Sequence, residues 1–193
     1  VLDNQDAGIS LASAVGSLIA IFAAYLLGAA VVSRVGGLIA AALMAIEYTA
    51  ITWAVDGWRD DTFTAAFLLA AWALVRFHDR ASFGNALLVG ITGGVACLTR
   101  ITALSFIVPA LLWILASRRT GIRDRAIHTG TALLILTALV APFLLSCYIA
   151  TGDPLFAINY HTSYYRHAEG IPIDQPMSAA EYIRMKFARQ PIR

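Results

Sequence analysis

Long stretches without a single charge alternate with short polar clusters along this chain. Residues 11–27 and 132–145 carry no Asp, Glu, Lys or Arg. Charge-free runs of that length favour membrane spans over the helices of a water-soluble core. The pattern predicts six spans, at residues 9–32, 35–53, 63–75, 86–98, 101–116 and 132–149. The fourth is short, and residues 87–116 have an alternative reading as one long helix interrupted at Arg100. Gly90 and Gly94 form a small-xxx-small pair, and alanines crowd around Ala40 and Ala70, which suits close helix packing in lipid. Pro109 and Pro142 are expected to kink their helices locally.

The distribution of basic residues chooses between the two readings. With six spans, one side of the membrane receives Arg34, Arg76, Arg80, Arg118, Arg119, Arg123 and Arg125, and the short loops opposite receive only Arg59 and Arg100. Merging spans four and five would move the Arg118 cluster across the membrane from Arg80. The positive-inside rule therefore prefers six spans and puts the Arg59 and Arg100 loops outside. The expected fold is all-α, a polytopic transmembrane helical bundle over 1–150 followed by an extracytoplasmic loop over 151–193. The expected location is a multi-pass position in the cell inner membrane or plasma membrane.

Composition agrees with this pattern. The 193 residues are 59% hydrophobic and 13% charged, against about 25% charged in a typical soluble domain. A net charge of +2 says little by itself, and no nucleic-acid partner is expected. Cys97 and Cys147 both fall in apolar runs and read as small buried hydrophobes rather than a disulfide or a metal pair. No basic segment precedes the first apolar run, so nothing resembles a cleaved signal peptide. The chain starts at Val1 and stops at Arg193 without a natural boundary, and a piece of a longer protein is expected.

The tail opens on a turn signal, Gly152-Asp153-Pro154, and continues into an aromatic and polar run from Asn159 to His167. Ser178 to Glu181 reads as a capping box. The helix it would start, residues 179–189, is amphipathic and either lies on the outer membrane surface or packs on the protein.

Charges in or beside the bilayer are costly, so each one calls for an explanation. The cluster Asp56-Gly57-Trp58-Arg59-Asp60-Asp61 gathers three carboxylates and a guanidinium where the third span begins. Asp60 or Asp61 can cap that helix, or can orient a sugar or hold a divalent cation, with Arg59 paired to a phosphate. Arg100 reads either as a rim arginine reaching the headgroups or as a cation holding a phosphate at the membrane surface. Glu47 falls deep in the second span, where it is expected to face the bundle and hydrogen-bond a neighbouring helix, with a substrate contact as the alternative. Tyr160 and His161 are candidate sugar or phosphate contacts, with a plain surface role as the alternative. His161 and His167 stand six apart, which is not a standard zinc spacing. No phosphate-cradling Gly loop, nucleophile elbow or Cys/His metal cluster occurs.

The order of several loose motifs carries more than any one of them. Gly8-Ile9-Ser10-Leu11 through Leu18, Tyr25-Leu26-Leu27-Gly28 and Val35-Gly36-Gly37-Leu38 resemble the second and third helices of GT-C membrane glycosyltransferases. Gly57-Trp58-Arg59-Asp60-Asp61-Thr62-Phe63 resembles the outer loop before their fourth helix. Gly90 to Arg100, ending Leu98-Thr99-Arg100, resembles their Gly-rich helix, and Gly152-Asp153-Pro154-Leu155-Phe156 resembles a later turn. The nearest pattern is the protein O-mannosyltransferase and lipid A aminoarabinose transferase type, and the resemblance covers nearly the whole chain.

The resemblance implies inverting transfer of a hexose or pentose from a polyprenyl-phosphate donor to a lipid, glycan or protein acceptor on the extracytoplasmic face. It implies that Arg100 holds the donor phosphate and that Asp60, or the adjacent Asp61, is a second outer-face acid. The principal acid of the family would precede Val1, so the chain alone is expected to be inactive. The arginine often found before the second family helix has no match at Ile9 or Ser10. A polytopic transporter or a non-catalytic membrane subunit is the alternative. A transporter would place ionisable groups near the midplane, where only Glu47 is expected.

Overall fold

The computed structural model describes residues 4–49, 51–52, 60–116 and 121–168, with residues 181, 184, 185 and 188. Among them every regular element is helical. The helices are α1 Asn4–Val31, α2 Arg34–Ala45, α3 Asp60–Asp79, α4 Phe83–Thr99, α5 Leu104–Ala116, α6 Ile122–Thr151 and α7 Phe156–Ala168, with a 3-10 turn at Ile101–Ala103 before α5. The chain divides into two compact units, Val1–Phe143 and Leu144–Arg193.

In the first unit the core is built from small side chains. Ala20, Ala23, Ala70, Ala73, Ala86, Ala96 and Ala132 are buried, and the largest fully buried side chains are Ile107 and Ile114. The big apolar residues point outward instead: Leu11, Leu18 and Leu134 are each about two-thirds exposed. Water would not tolerate that arrangement, but hydrocarbon does, because lipid tails give large apolar side chains no reason to turn inward. The fold is an all-α membrane bundle. Ala7–Val31 and Ile122–Thr151 are each long and apolar enough to cross a bilayer, and α2, α4 and α5 are shorter apolar helices.

Glycines set how closely the helices approach. A Cβ at Gly37 would stand 2.6 Å from the Tyr25 carbonyl oxygen, and one at Gly28 would stand 2.9 Å from the Gly37 Cα, so α1 and α2 touch backbone to backbone. The predicted Gly90/Gly94 pair behaves the same way, since added Cβ atoms would meet the Ala132 carbonyl oxygen at 2.7 Å and the Leu139 Cδ1 at 2.8 Å on α6. Ser33 and Ser82 begin α2 and α4, accepting hydrogen bonds from the amides of Gly36 and Asn85. Pro109 and Pro142 lie inside α5 and α6.

Two expectations need correction. The second span does not run unbroken over 35–53. α2 stops at Ala45, Ile46 takes φ −102° and ψ 0°, and helical backbone resumes only at Tyr48. Glu47 sits in that break, exposed, and its carboxylate accepts a hydrogen bond from the Thr49 amide at 3.1 Å. It is therefore not buried mid-helix facing the bundle. Ending the helix there lets the carboxylate satisfy an orphan amide, at less cost than an unpaired buried charge. At Arg100, by contrast, the chain does turn back. α4 ends at Thr99, and Ile107 of α5 packs on Gly93 of α4, so residues 87–116 form two helices and not one.

In the second unit the turn signal is realised. Gly152 takes φ +76°, the left-handed region open to glycine, and the Asp153 carboxylate accepts from the Leu155 amide at 2.8 Å and the Asn159 side chain at 2.7 Å. The aromatic run that follows is the helix α7. The expected capping box and the helix at 179–189 lie outside the described residues, apart from helical backbone at Glu181, Arg184, Met185 and Ala188.

Candidate functional site

Polar side chains from three helices meet where α3 begins and α4 ends. α3 opens on Asp60 and Asp61, where the positive end of a helix dipole favours carboxylates. α4 closes on Arg100, where the negative end favours a cation. The two ends are joined by an ion pair, with Arg100 Nη2 and Asp60 Oδ1 2.6 Å apart. Arg100 adopts extended backbone, φ −149° and ψ 121°. Its amide donates to the Ala96 carbonyl at 2.9 Å, and its carbonyl accepts from the Ala103 amide at 3.0 Å, so the residue is held on both sides. The guanidinium also lies over the Phe63 ring, 5.7 Å from its centroid.

Exposure separates the two carboxylates that sequence alone left equivalent. Asp60 is 13% exposed beside an Arg100 side chain that is 41% exposed. Asp61 is only 3% exposed and turns the other way, accepting a hydrogen bond at 3.0 Å from the buried Ser13 hydroxyl of α1. Asp61 precedes the apolar stretch of α3. Burial pushes its carboxyl above the ordinary carboxylate value, the Ser13 hydrogen bond pulls it back, and the neighbouring Asp60 charge pushes it up. Gly16 makes the contact sterically feasible: a Cβ there would stand 2.8 Å from the Thr62 hydroxyl and 3.1 Å from the Thr62 amide nitrogen.

This arrangement offers one half-exposed guanidinium, fixed in place, at the end of a bundle. A guanidinium has five N–H donors in a planar fork, and the ion pair with Asp60 leaves others for a ligand. Phosphate and carboxylate are the groups that fork matches. Asp60 is paired with Arg100, and Asp61 with Ser13. Among the described residues no group of three His, Cys, Asp or Glu stands together.

The other candidates fall elsewhere. Arg59 lies outside the described residues, as do Asp56, Gly57 and Trp58. Glu47 occupies the break after α2. Tyr160 is exposed on α7 in the second unit, stacked on Phe156 with centroids 5.6 Å apart. His161 lies on the same helix, and its side chain is outside the described residues. Cys97 and Cys147 are free. Sequence reasoning missed Ser13, which looks like one more small residue in an apolar run. Its spacing from Gly16 puts the two on one helix face, and that was the available signal.

The sequence model of the dolichyl-phosphate-mannose-protein mannosyltransferase family matches residues 1–145. No curated protein and no solved structure matches the chain.

Proposed function

The chain belongs to the dolichyl-phosphate-mannose-protein mannosyltransferase family, a membrane glycosyltransferase group of the GT-C type, and on that premise we propose that its Asp60–Arg100 end binds the phosphate of a polyprenyl-phosphate-linked sugar. The donor's lipid tail lies in the bilayer and its phosphate at the headgroup plane. Arg100, fixed at the end of α4, meets that phosphate. The acceptor hydroxyl attacks the sugar's anomeric carbon from the opposite face, its oxygen–carbon bond forms as the carbon–oxygen bond to phosphate breaks, its proton passes through water to the released phosphate, and the configuration inverts. The bonding electrons leave with the polyprenyl phosphate, and the Arg100 charge stabilises them there.

Asp60 and Asp61 organise the site rather than take the acceptor's proton. Asp60 holds the guanidinium in one orientation, and Asp61, anchored by Ser13, locks the first turn of α3 against α1. The proposed topology is multi-pass, in an inner or plasma membrane, with this end on the extracytoplasmic face, because Arg34, Arg76, Arg80, Arg123 and Arg125 belong to the opposite loops and helix ends. A hydroxyl of a protein acceptor is the proposed sugar recipient, with a lipid or glycan hydroxyl as the same chemistry on another carrier. Tyr160 and His161 are proposed acceptor or sugar contacts.

The observation that carries this reading is the ion pair joining the start of α3 to the end of α4, within the residues the family model matches. Its test is transfer of labelled sugar from a polyprenyl-phosphate donor by the intact membrane protein. Arg100→Ala is expected to lower transfer by about 10²–10³-fold at unchanged expression, in keeping with removal of one transition-state donor. Arg100→Lys is expected to fall between, keeping the charge without the fork. Full activity in Arg100→Ala would remove this residue from the site.

A further inference from the structure

At the opposite end of the first unit α3 and α5 end and α4 and α6 begin. Arg125, His128 and Thr129 of α6 stand at i, i+3 and i+4, on one helix face. The His128 ring meets the edge of Phe77 from α3, with centroids 5.4 Å apart at 81°, and the residue is only 9% exposed. Arg125 Nη1 donates to the Leu115 carbonyl at 3.4 Å, near the C-terminus of α5. That contact anchors the guanidinium but does not use all of it.

Among the described residues the buried Nε of Arg125, Nδ1 of His128 and Oγ1 of Thr129 have no hydrogen-bond partner. Buried polar groups are nearly always paired, so three on one face of two turns call for an occupant. Their chemistry says which kind. Arg Nε–H only donates, and a Thr hydroxyl and a His ring nitrogen can both donate. Three donors carried within little more than one turn of α6 fit an oxyanion with several acceptor oxygens. The surroundings supply matching charge. Arg76, His78 and Arg80 come from the end of α3 and its loop, and Arg123 from α6, against Asp79 and Asp124. The apolar run of α6 starts at Ala132, just past Thr129, which puts the three donors at the level of lipid phosphates.

We propose that Arg125, His128 and Thr129 form a binding site for the phosphate of an anionic phospholipid headgroup at the basic end of the bundle. The site is separate from the Asp60–Arg100 end and does not depend on the reading given for it. A free phosphate ion would satisfy the same donors, and only the lipid would bring an acyl chain to the exposed apolar side chains beside them, among them Ile127 and Leu133.

The test uses the full chain purified in detergent, with thermal unfolding followed on addition of phosphatidylglycerol, phosphatidylcholine or inorganic phosphate. Phosphatidylglycerol is expected to raise the midpoint more than phosphatidylcholine does, and inorganic phosphate is expected to leave it unchanged. Arg125→Gln and His128→Gln are each expected to weaken phosphatidylglycerol binding roughly tenfold, the scale of one charge-assisted hydrogen bond. Thr129→Val, close in shape to threonine, is expected to weaken binding several-fold and serves if the other variants do not fold. An equal response to inorganic phosphate would overturn the lipid assignment. An unchanged phosphatidylglycerol response in Arg125→Gln or Thr129→Val would overturn the site.

Discussion

The two ends of the first unit solve the problem of buried polar groups in opposite ways. At one end the groups satisfy each other: Arg100 holds Asp60, and Ser13 holds Asp61. At the other end Arg125, His128 and Thr129 each bury an atom with no partner among the described residues. On the proposed reading the first arrangement is a preorganised site. Its orientation is set before any ligand arrives, so a bound phosphate gains an aligned cation with little reorganisation. The second, on the proposed reading, is completed by a bound headgroup. A shared scaffold of small residues holds both ends, and only the pairing state distinguishes them.

The comparison breaks most sharply if the helix contact behind the paired end is opened. Gly16→Leu would drive a side chain into the Thr62 hydroxyl and backbone, forcing α1 from α3 at a loss of about 1–3 kcal/mol. Gly84, whose added Cβ would meet nothing within 4 Å, is the control, and Gly84→Ala is expected to lose no stability. Thermal unfolding in detergent reads both. Equal behaviour of the two variants would mean that α1 and α3 do not pack as closely as Gly16 requires.

A smaller effect sharpens the comparison at Asp61. Ser13→Ala removes the hydroxyl donated to the buried Asp61 carboxylate, and is expected to cost about 1–2 kcal/mol at neutral pH. Burial raises the Asp61 carboxyl above its ordinary value of 3.8. The folded state therefore prefers the proton, and this part of stability is present below that ordinary value and is lost as pH rises through the raised one. The Ser13 bond favours the ionised form, so its contribution has the opposite sense, present at high pH and fading as Asp61 protonates. The gap between wild type and Ser13→Ala should narrow as pH falls from 7 towards 4. A gap that stays constant would mean that Ser13 acts through packing and not through the carboxylate.

Much of this was legible in the sequence, and the exceptions have physical causes. Charge-free runs located α1 and α6 because membrane helices announce themselves by what they exclude. The basic-residue asymmetry separated α4 from α5 at Arg100, a backbone break that periodicity alone did not require. Asp60 and Asp61 could not be told apart, because adjacent residues on a helix point about 100° apart and only the neighbours decide which is buried. Those neighbours, Ser13 and Arg100, lie 48 and 40 positions away from Asp61 and Asp60. Glu47 was misplaced because hydropathy averaged it into the surrounding apolar residues. A carboxylate able to cap its own chain ends a helix locally, whatever the window says. The unpartnered trio on α6 carried no motif, since only packing shows which polar atoms are left without a partner.

The central claim is that the Asp60–Arg100 pair serves phosphate binding and not only the joining of two helix ends. The double variant Asp60→Arg with Arg100→Asp restores an ion pair of reversed polarity between the same two positions. Sugar transfer from a polyprenyl-phosphate donor should be measured for the intact protein carrying the swap, beside each single variant. The swap is expected to recover most of the thermal stability lost in the single variants, while transfer stays about 10²-fold or more below wild type because the cation no longer stands at the end of α4. Recovery of transfer together with stability would contradict it, and would leave the pair as a structural clasp.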